Sequence, residues 1–378
     1  MLPTARREPE PAQKVHFISS DVYRRQGFGE NHPLAIPRVG LVMAICEALG
    51  WIPESGYEPS PRATIAQLAR YHTLDFIDAV RRADANGGCD RETRERYGLG
   101  TRENPIFDGL FERATTTCGG SIRAAELALQ GSVAFNPAGG THHGLPDKAH
   151  GFCYFNDPVM AIFSLLEGGA GRVFYADLDA HHGDGVEAAF ADEPRVMTVS
   201  IHEAGRWPFT GQVEDRGGGF ARNLPVPPGF NDSELDYLMQ NAILPLADRF
   251  AADYTVVVCG ADGLAGDPLS AMKLSNGALW RAVGQLVRTV TGAVIVGGGG
   301  YNPWTVARCW SGLWGALQGK AVPESLPESV RILLAGLDCD LVDEEDRDPR
   351  WTTTLVDAPS PGIIRPAVKA LPPLVLAP

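Results

Sequence analysis

The chain lacks the features that mark membrane, nucleic-acid-binding and disulfide-stabilised proteins. None of its apolar stretches is long enough to cross a bilayer, and its first residues contain no apolar segment typical of a secretory signal. Positive charge is scarce, because 33 Lys and Arg face 46 Asp and Glu, a net charge of −13 that does not suit a general nucleic-acid binder. The seven cysteines form no C-x-x-C pair, which indicates reduced thiols. We therefore expect a cytoplasmic protein with no membrane or nucleic-acid partner.

What the chain does have is an alternation of β-branched runs with helical patterns. The predicted strands cover residues 15–19, 132–136, 172–179, 196–202, 255–261 and 293–297, and the predicted helices cover 37–49, 110–129, 157–167, 233–250, 276–290 and 304–317. Several of these strands are apolar on both faces, which is typical of a parallel sheet covered by helices on each side. We predict an α/β fold with a single doubly wound, mainly parallel β-sheet and helices on both faces.

The domain boundaries follow from the same pattern. One domain is predicted over residues 14–378, after a polar, flexible segment at 1–13. Residues 86–105 are charged and rich in glycine, and we expect a long surface loop there. The Pro-rich tail after Ser329 is expected to pack on the surface.

The stretch ADLDAHHGDG, residues 176–185, places ionisable groups directly after a strand predicted to be buried. Asp179 and His181 are two residues apart, so their side chains point the same way in an extended segment. A carboxylate and an imidazole that face one spot suit a zinc-type cation. Asp262, at the end of another buried strand, is the further candidate ligand, and three protein ligands leave a coordination position open for catalysis. The alternative is a solvated turn in which Asp and Gly serve only turn geometry.

Two more loops at strand ends carry candidate catalytic groups. In FNPAGGTHHG, a Gly-Gly bend allows His142 and His143 to face one site, and Asp177 and Asp184 remain to orient their rings. In IVGGGGYN, the hydroxyl of Tyr301 can face a developing oxyanion, although a packed aromatic at the strand end is the alternative. The other histidines are expected to be structural: His16, His32, His72, His150, His182 and His202.

Five motifs in one order resemble the zinc-dependent histone deacetylase family, including bacterial acetoin-utilisation-type deacetylases. They are FNPAGGTHHG, GFCYFND, DLDAHHGDG, GADGLAGDP and GGGGYN, and the resemblance runs from ENHPLAIPRV to about Gly319. It implies the arginase-deacetylase fold and hydrolysis of an acetyl or related acyl amide, such as acetyl-lysine, with release of acetate. The implied cofactors are Zn²⁺, with Fe²⁺ as the alternative in the same ligands, and a structural K⁺ or Na⁺.

The resemblance also implies roles for single residues. Asp179, His181 and Asp262 would bind the metal. His143 would be the general base and later acid, with His142 as its electrostatic partner. Asp177 would pair with His142 and Asp184 with His143, and Tyr301 would donate to the substrate carbonyl. The implied substrate-binding residues are Gly151, Phe152, Trp207, Leu269 and Glu103. The implied monovalent-cation site consists of Asp177, Asp179, His181, Ser200 and Ile201. Arg38 would line an internal exit for acetate.

Three departures and three alternatives accompany this resemblance. Gly144 stands where the family often has alanine, and Trp207-Pro-Phe-Thr-Gly211 stands where many members read F-P-G-T-G, which predicts a bulkier channel wall. Leu269 occupies a position at which a polyamine-deacetylase branch carries glutamate. The alternatives are an acetylpolyamine or small-metabolite deacetylase, a non-catalytic acyl-amine-binding protein, and a two-metal ureohydrolase, which would need acids at Gly183 and Leu264. The sequence leaves open whether the chain forms an oligomer.

Overall fold

The computed structural model describes residues 13–25, 27–29, 31–52, 56–288 and 290–377, so the segment predicted to be flexible lies almost wholly outside the described residues. The strands in these ranges are β1 Val15–Ser19, β2 Tyr57–Pro59, β3 Val133–Asn136, β4 Val173–Asp177, β5 Val196–Glu203, β6 Ala221–Val226, β7 Tyr254–Val258 and β8 Gly292–Val296. They form an eight-stranded sheet in the order β2-β1-β3-β8-β7-β4-β5-β6, and each neighbouring pair is parallel. The predicted α/β fold with a parallel sheet is therefore confirmed.

Helices connect these strands. The α-helices are α1 Val39–Ala48, α2 Ile65–Leu68, α3 Leu74–Asn86, α4 Arg91–Tyr97, α5 Leu110–Leu129, α6 Asp157–Glu167, α7 Asp184–Ala189, α8 Asp232–Leu238, α9 Leu244–Phe250, α10 Asn276–Val287, α11 Pro303–Leu317, α12 Glu328–Ala335, α13 Pro366–Lys369 and α14 Leu371–Leu376. A π-helical turn, Met239–Ile243, joins α8 to α9, and 3-10 turns lie at Asp21–Arg24, Pro33–Ala35, Gly217–Gly219, Glu344–Asp346 and Pro349–Thr352. None of the described helices is long and apolar enough to span a bilayer.

Two hydrophobic layers cover the two faces of the sheet. Along β3, Val133 and Phe135 belong to the layer that includes residues of α1, α10 and α11, whereas Ala134 belongs to the layer that includes residues of α5 and α6. The same alternation holds along β8 for Ile295 and Val296. Because side chains alternate across a strand, a strand covered on both sides must be apolar at every position. This is the pattern from which the sheet was predicted.

Two expectations about the chain's periphery were wrong. The stretch 86–105 is not wholly loop, because it contains α4, which begins after the N-cap Asp90 and ends at Gly98. Nor does the tail after Ser329 merely cover the surface: Val330, Val368 and Val375 are fully buried in the main hydrophobic layer. The tail therefore forms part of the core.

The strand order brings the candidate site together. The neighbours β3, β8, β7 and β4 lie in the centre of the sheet, and the loops after them carry His142, Tyr301, Asp262 and Asp179. In parallel sheets all carboxyl ends share one edge, where ligands bind. β4 ends at Asp177 and β7 at Val258, before the predicted ends, so that Asp179 and Asp262 lie in these loops.

Candidate active site

Three buried side chains converge between the loops after β4 and β7. His181 Nδ1 lies 2.8 Å from Asp262 Oδ2 and 3.2 Å from Asp179 Oδ1. Each of the three side chains offers one ligand atom, and these atoms lie within 4.8 Å of one another. Among the described residues, these three form the one cluster of His, Cys, Asp or Glu side chains that is close enough to hold a metal ion. The structure thus brings together the residues that the D-x-H spacing and the strand-end aspartate predicted as neighbours.

Backbone donors fix the two carboxylates of this group. The N–H of Gly299 donates to Asp179 Oδ2 over 2.6 Å, and the N–H of Ala180 donates to Asp262 Oδ1 over 3.0 Å. Gly299 passes so close that a Cβ at this position would lie 2.1 Å from Asp262 Oδ2. The glycine run before Tyr301 therefore lets the backbone approach the carboxylates closely. A side chain at Gly299 would prevent this approach.

The chemistry of the group fits a divalent cation. Burial and the neighbouring Asp179 carboxylate raise the pKa of Asp262 to about 6, because two negative charges in a dry site repel each other. A bound cation removes this repulsion, and two carboxylate oxygens with one imidazole nitrogen form a donor set that suits zinc. The three side chains are thus a candidate metal centre.

The tandem histidines lie beside this centre, each with its own carboxylate. His142 Nδ1 is 2.7 Å from Asp177 Oδ2, and His143 Nδ1 is 2.7 Å from Asp184 Oδ1. Burial lowers the pKa of both rings, but the carboxylates of Asp177 and Asp179 outweigh it at His142 and raise its pKa to about 9. At His143 burial and the adjacent His142 lower the pKa to about 3. The surrounding carboxylates therefore favour a charged His142 ring, whereas burial favours a neutral His143 ring.

A buried carboxylate that the sequence analysis missed positions the histidine loop. Asp157, the first residue of α6, accepts hydrogen bonds from the N–H of Gly140 over 3.2 Å and of Thr141 over 2.8 Å. It also accepts from the Ser121 hydroxyl over 2.6 Å. In the sequence this residue is visible only as the aspartate that ends GFCYFND. Its role could not be predicted from there, because its partners lie on two other segments of the chain.

Tyr301 is held by a second carboxylate that the analysis missed. Asp267 Oδ2 accepts a hydrogen bond from the Tyr301 N–H over 2.7 Å, and its Oδ1 accepts from the Leu269 N–H over 2.9 Å. Tyr301 is buried, and burial raises the pKa of its phenol well above the usual value, so that the hydroxyl stays protonated as a donor. Its ring centroid lies 6.3 Å from that of His181.

A cavity of about 530 Å³ connects these groups with the surface. Its lining residues are Glu103, His143, Gly151, Phe152, His181, Glu203, Ala204, Gly205, Arg206, Trp207, Phe209, Leu269 and Tyr301. The Trp207 ring lies 4.7 Å from the His143 ring, and the Phe152 ring lies 5.8 Å from the Tyr301 ring. All five residues that the resemblance assigned to substrate binding therefore lie around one cavity.

Gly151 is a narrow point of the cavity wall. A Cβ there would lie 2.4 Å from the Trp207 ring and 2.5 Å from the His143 ring. Its N–H donates to Glu103 Oε1 over 2.5 Å, and its carbonyl accepts from the Cys153 thiol over 3.2 Å. Glu103, expected at the rim, thus binds the protein's own backbone.

The remaining predicted residues fall into two groups. Asp177 on β4 pairs in register with Ser200 on β5, which places two of the five residues of the expected monovalent-cation site side by side. Arg38 lines a second cavity of about 120 Å³ together with His142, and this cavity shares His143 and Tyr301 with the first. It donates to the Gly298 carbonyl over 2.6 Å.

The histidines expected to be structural lie outside the metal group. His182 contacts Thr210 Oγ1 at 2.8 Å and Glu187 Oε2 at 3.1 Å. His202 Nε2 lies 2.9 Å from the Gly211 carbonyl oxygen. His150 lies nearest to the site, because its Nδ1 is 3.5 Å from Asp184 Oδ2 and its ring contacts that of Trp207. The network around Glu187 was not foreseen.

Fold and site together define a metal-dependent amidohydrolase of the arginase-deacetylase fold. Residues 32–317 match the histone deacetylase domain. The chain is 34% identical over 318 residues to the acetoin utilization protein AcuC of Bacillus subtilis, covering 80% of this chain and 82% of that protein. It is 33% identical over 299 residues to histone deacetylase 8 of Xenopus tropicalis, covering 77% and 80%.

Comparison with solved structures indicates the same family. An HDAC homologue from Aquifex aeolicus superposes with a TM-score of 0.92 at 35% identity, covering 97% of this chain and all of that one. An HDAC homologue complexed with SAHA superposes with a TM-score of 0.90 at the same identity and coverage. The chain belongs to the histone deacetylase family. It is a metal-dependent deacetylase, and zinc is the metal typical of this family.

The two-metal alternative meets a steric obstacle in this chain. A Cβ at Gly183 would lie 2.3 Å from Asp177 Oδ2 and 3.1 Å from the Tyr175 hydroxyl, so an acidic side chain has no room there. Leu264, the other position at which an acid would be needed, is fully buried and apolar. The local packing therefore favours one metal ion.

Proposed function

We propose that the chain hydrolyses the acetyl amide of an acetyl-lysine side chain in a peptide or protein, using one Zn²⁺. The observation that carries this proposal is the group of three buried metal-binding side chains beside the tandem histidine pair. One residue of each set, His181 and His143, lines the cavity that opens to the surface. A cavity lined by the apolar side chains of Phe152, Trp207 and Leu269 together with a few polar groups suits an alkyl chain that ends in an amide. Acetylpolyamines and small acetylated metabolites remain the alternative substrates.

Asp179, His181 and Asp262 would hold the ion, with two carboxylate oxygens and one imidazole nitrogen as ligands. When bound, the ion polarises the amide carbonyl and lowers the pKa of a water molecule beside it. Fe²⁺ suits the same donors, since affinity and availability together decide which metal is bound.

His143 would take the proton of the attacking water and then deliver it to the leaving nitrogen. Its lowered pKa leaves the ring neutral and able to accept a proton, and Asp184 orients its Nδ1. His142, charged beside Asp177, would stabilise the negative charge that develops on the amide oxygen. Tyr301 would donate its hydroxyl proton to that oxygen in a hydrogen bond.

Gly151, Phe152 and Trp207 would guide the substrate to these groups. The Gly151 carbonyl would accept the amide N–H, and the two aromatic rings would pack on the alkyl chain. Leu269 and Glu103 would lie at the rim. A leucine at this point of the rim offers no charge to a polyamine, which favours acetyl-lysine as the substrate.

Further parts of the proposal concern the surroundings of the site. A K⁺ or Na⁺ ion bound by Asp177, Asp179, His181, Ser200 and Ile201 would stabilise the turn between β4 and the metal ligands. Arg38, in the second cavity, would attract the acetate product. We place the protein in the cytoplasm as one domain over residues 14–378, and its seven free cysteines suit a reducing compartment.

The test measures metal content and acetate release together. The purified chain, loaded with Zn²⁺ or Fe²⁺, is given an acetyl-lysine peptide, acetylputrescine and acetylspermidine in parallel. We expect about one metal ion per chain, fastest acetate release from the peptide, and inhibition by SAHA. Asp262→Asn should lose the metal, because it replaces an anionic ligand with a weaker neutral one.

The matched control is Asp75→Asn, the same chemical change at an exposed carboxylate on α3. This variant should retain both metal and activity. Two metal ions per chain would contradict the single-metal mechanism, and faster release from the polyamines would contradict the substrate assignment.

A further inference from the structure

Phe209 combines two unfavourable features at the mouth of the substrate cavity. Its φ is 66°, in the left-handed region where a bulky side chain is strained. Its side chain is 69% exposed, so packing within the protein covers less than a third of it. The turn itself closes through the backbone, because the Phe209 N–H donates to the Arg206 carbonyl over 2.8 Å. A glycine would make the same turn without the strain.

The loop that carries Phe209 is firmly held. Arg206 donates to Glu203 Oε1 over 2.7 Å and to the Leu269 carbonyl over 2.7 Å. Glu203 Oε2 in turn accepts from the Ala271 N–H over 2.7 Å. These bonds tie Glu203 and Arg206 to residues 269–271. On the other side of Phe209, Thr210 Oγ1 lies 2.8 Å from His182 Nδ1 and the Gly211 carbonyl lies 2.9 Å from His202 Nε2, so the loop is anchored on both sides of this residue.

The same bonds determine the charge of this side of the mouth. The carboxylate of Glu203 and the guanidinium of Arg206 neutralise each other, and Glu103 across the mouth is bonded to the Gly151 N–H. Leu269 and Trp207 line the same cavity. A substrate that reaches Phe209 therefore meets an aromatic face beside the apolar side chains of Leu269 and Trp207 and the mutually paired charges of Glu203 and Arg206.

We propose that Phe209 is a specificity-determining residue, which binds an apolar or aromatic side chain next to the acetyl-lysine of a peptide substrate. This inference rests on the proposed function and narrows its substrate class. Strain at an exposed position persists where the residue serves a function, and an exposed aromatic on a rigid loop supplies contact area at little entropic cost. Acetylated polyamines carry no aromatic or branched apolar group that could pack on this ring.

The experiment compares two acetyl-lysine peptides that differ only in the following residue, tryptophan or serine. We expect the wild-type holoenzyme to prefer the tryptophan peptide about 3- to 10-fold in kcat/KM, the amount that one aromatic contact supplies. The preference should lie in KM. In Phe209→Gly it should fall to near 1, and in Phe209→Leu, which keeps an apolar side chain without a ring, to an intermediate value.

A matched control and a stability measurement complete the test. Ile363→Gly removes another exposed apolar side chain, 80% exposed in the tail, and should leave the preference unchanged. Phe209→Gly should unfold at the wild-type temperature or above, because glycine relieves the strained φ. A preference that survives in Phe209→Gly would overturn the inference.

Binding separates this inference from the proposed function. The affinities of both peptides are measured by calorimetry on the Tyr301→Phe protein with and without Phe209→Gly. If no peptide releases acetate, the proposed substrate class fails, yet a tryptophan preference that depends on Phe209 would still support the role of this residue. If the tryptophan and serine peptides bound with equal affinity to both proteins, the role proposed for Phe209 would be overturned.

Discussion

At the level of single residues, buried carboxylates give the site its order. Asp157 binds the backbone of the histidine loop, Asp179 binds the N–H of Gly299, and Asp267 binds the N–H of Tyr301. Each of these bonds pairs a backbone N–H that would otherwise be buried without a partner, and so fixes a loop that has no regular structure. The sequence analysis predicted residues that line the cavity, but not Asp157 and Asp267, because their partners are loops 16 and 34 residues away.

Tyr301 allows a sharp test at this scale. Tyr301→Phe removes one hydroxyl and leaves the ring, and we expect kcat to fall roughly 100- to 1,000-fold, the effect of losing one oxyanion donor. KM and metal content should change little, because the hydroxyl acts when charge develops on the amide oxygen. Steady-state kinetics and metal analysis of the variant check both statements. Undiminished turnover would remove Tyr301 from this role.

At the level of elements, the sequence analysis predicted most of those with strong hydrophobic patterns. It did not predict α3, although five apolar side chains of this helix are buried. All six predicted strands and all six predicted helices have a counterpart, since the core requires their apolar residues. β2 has three residues, and β6 contains Pro225, which is tolerated because β6 lies at the sheet edge. α4 reads RETRERY, with a single buried side chain, so no apolar stripe revealed it.

One helix depends on a cap from another helix. α5 begins after Gly109, which offers no side chain as a cap. Asp84 on α3 supplies it: Oδ1 accepts from the N–H groups of Gly109 and Leu110 over 3.0 and 3.2 Å, and Oδ2 accepts from that of Phe111 over 2.9 Å. A carboxylate at this end also complements the helix dipole.

We expect Asp84→Ala to lower the free energy of unfolding by roughly 1–2 kcal/mol, the range for a lost N-cap. Urea denaturation monitored by circular dichroism measures the change. Asp78→Ala on the same helix is the control, because Asp78 is an exposed residue paired with Arg81, and its effect should stay within about 0.5 kcal/mol. If the two variants lost the same free energy of unfolding, the capping of α5 by Asp84 would make no specific contribution to stability.

At the level of the whole molecule, the C-terminal tail covers one edge of the sheet. Arg222 on the edge strand β6 donates to the Val375 carbonyl over 2.9 Å, and Val368 and Val375 are fully buried. An uncovered edge strand would invite pairing with other chains. The sequence analysis did not predict this, because the residues next to β6 lie in α13 and α14, two short helices of four and six residues in a Pro-rich segment, which show no long apolar stripe.

A buried ion pair fastens the tail to α8. Glu234 is fully buried and accepts from Arg365 Nε over 2.7 Å, from its Nη2 over 2.7 Å and from its backbone N–H over 3.0 Å. Burial raises the pKa of Glu234, but the hydrogen bonds and the positive charge of Arg365 outweigh it, and the net pKa is lowered. The ionised form is therefore the one that folding stabilises.

This direction sets a pH dependence for the stability of the chain. A carboxyl whose pKa is lowered by folding stabilises the protein above its unfolded pKa of about 4.3 and loses this contribution as the pH falls through the folded value. Glu234→Gln should therefore lower the free energy of unfolding by roughly 1–3 kcal/mol at pH 7, and the difference from wild type should narrow below about pH 4.3. Urea denaturation at pH 7, 5 and 4 measures it. The control is Glu328→Gln, at an exposed pair with Arg331, which should leave the free energy of unfolding unchanged at each pH. If the loss of unfolding free energy in Glu234→Gln were the same at every pH, the packing of this side chain and not its charge would hold the tail.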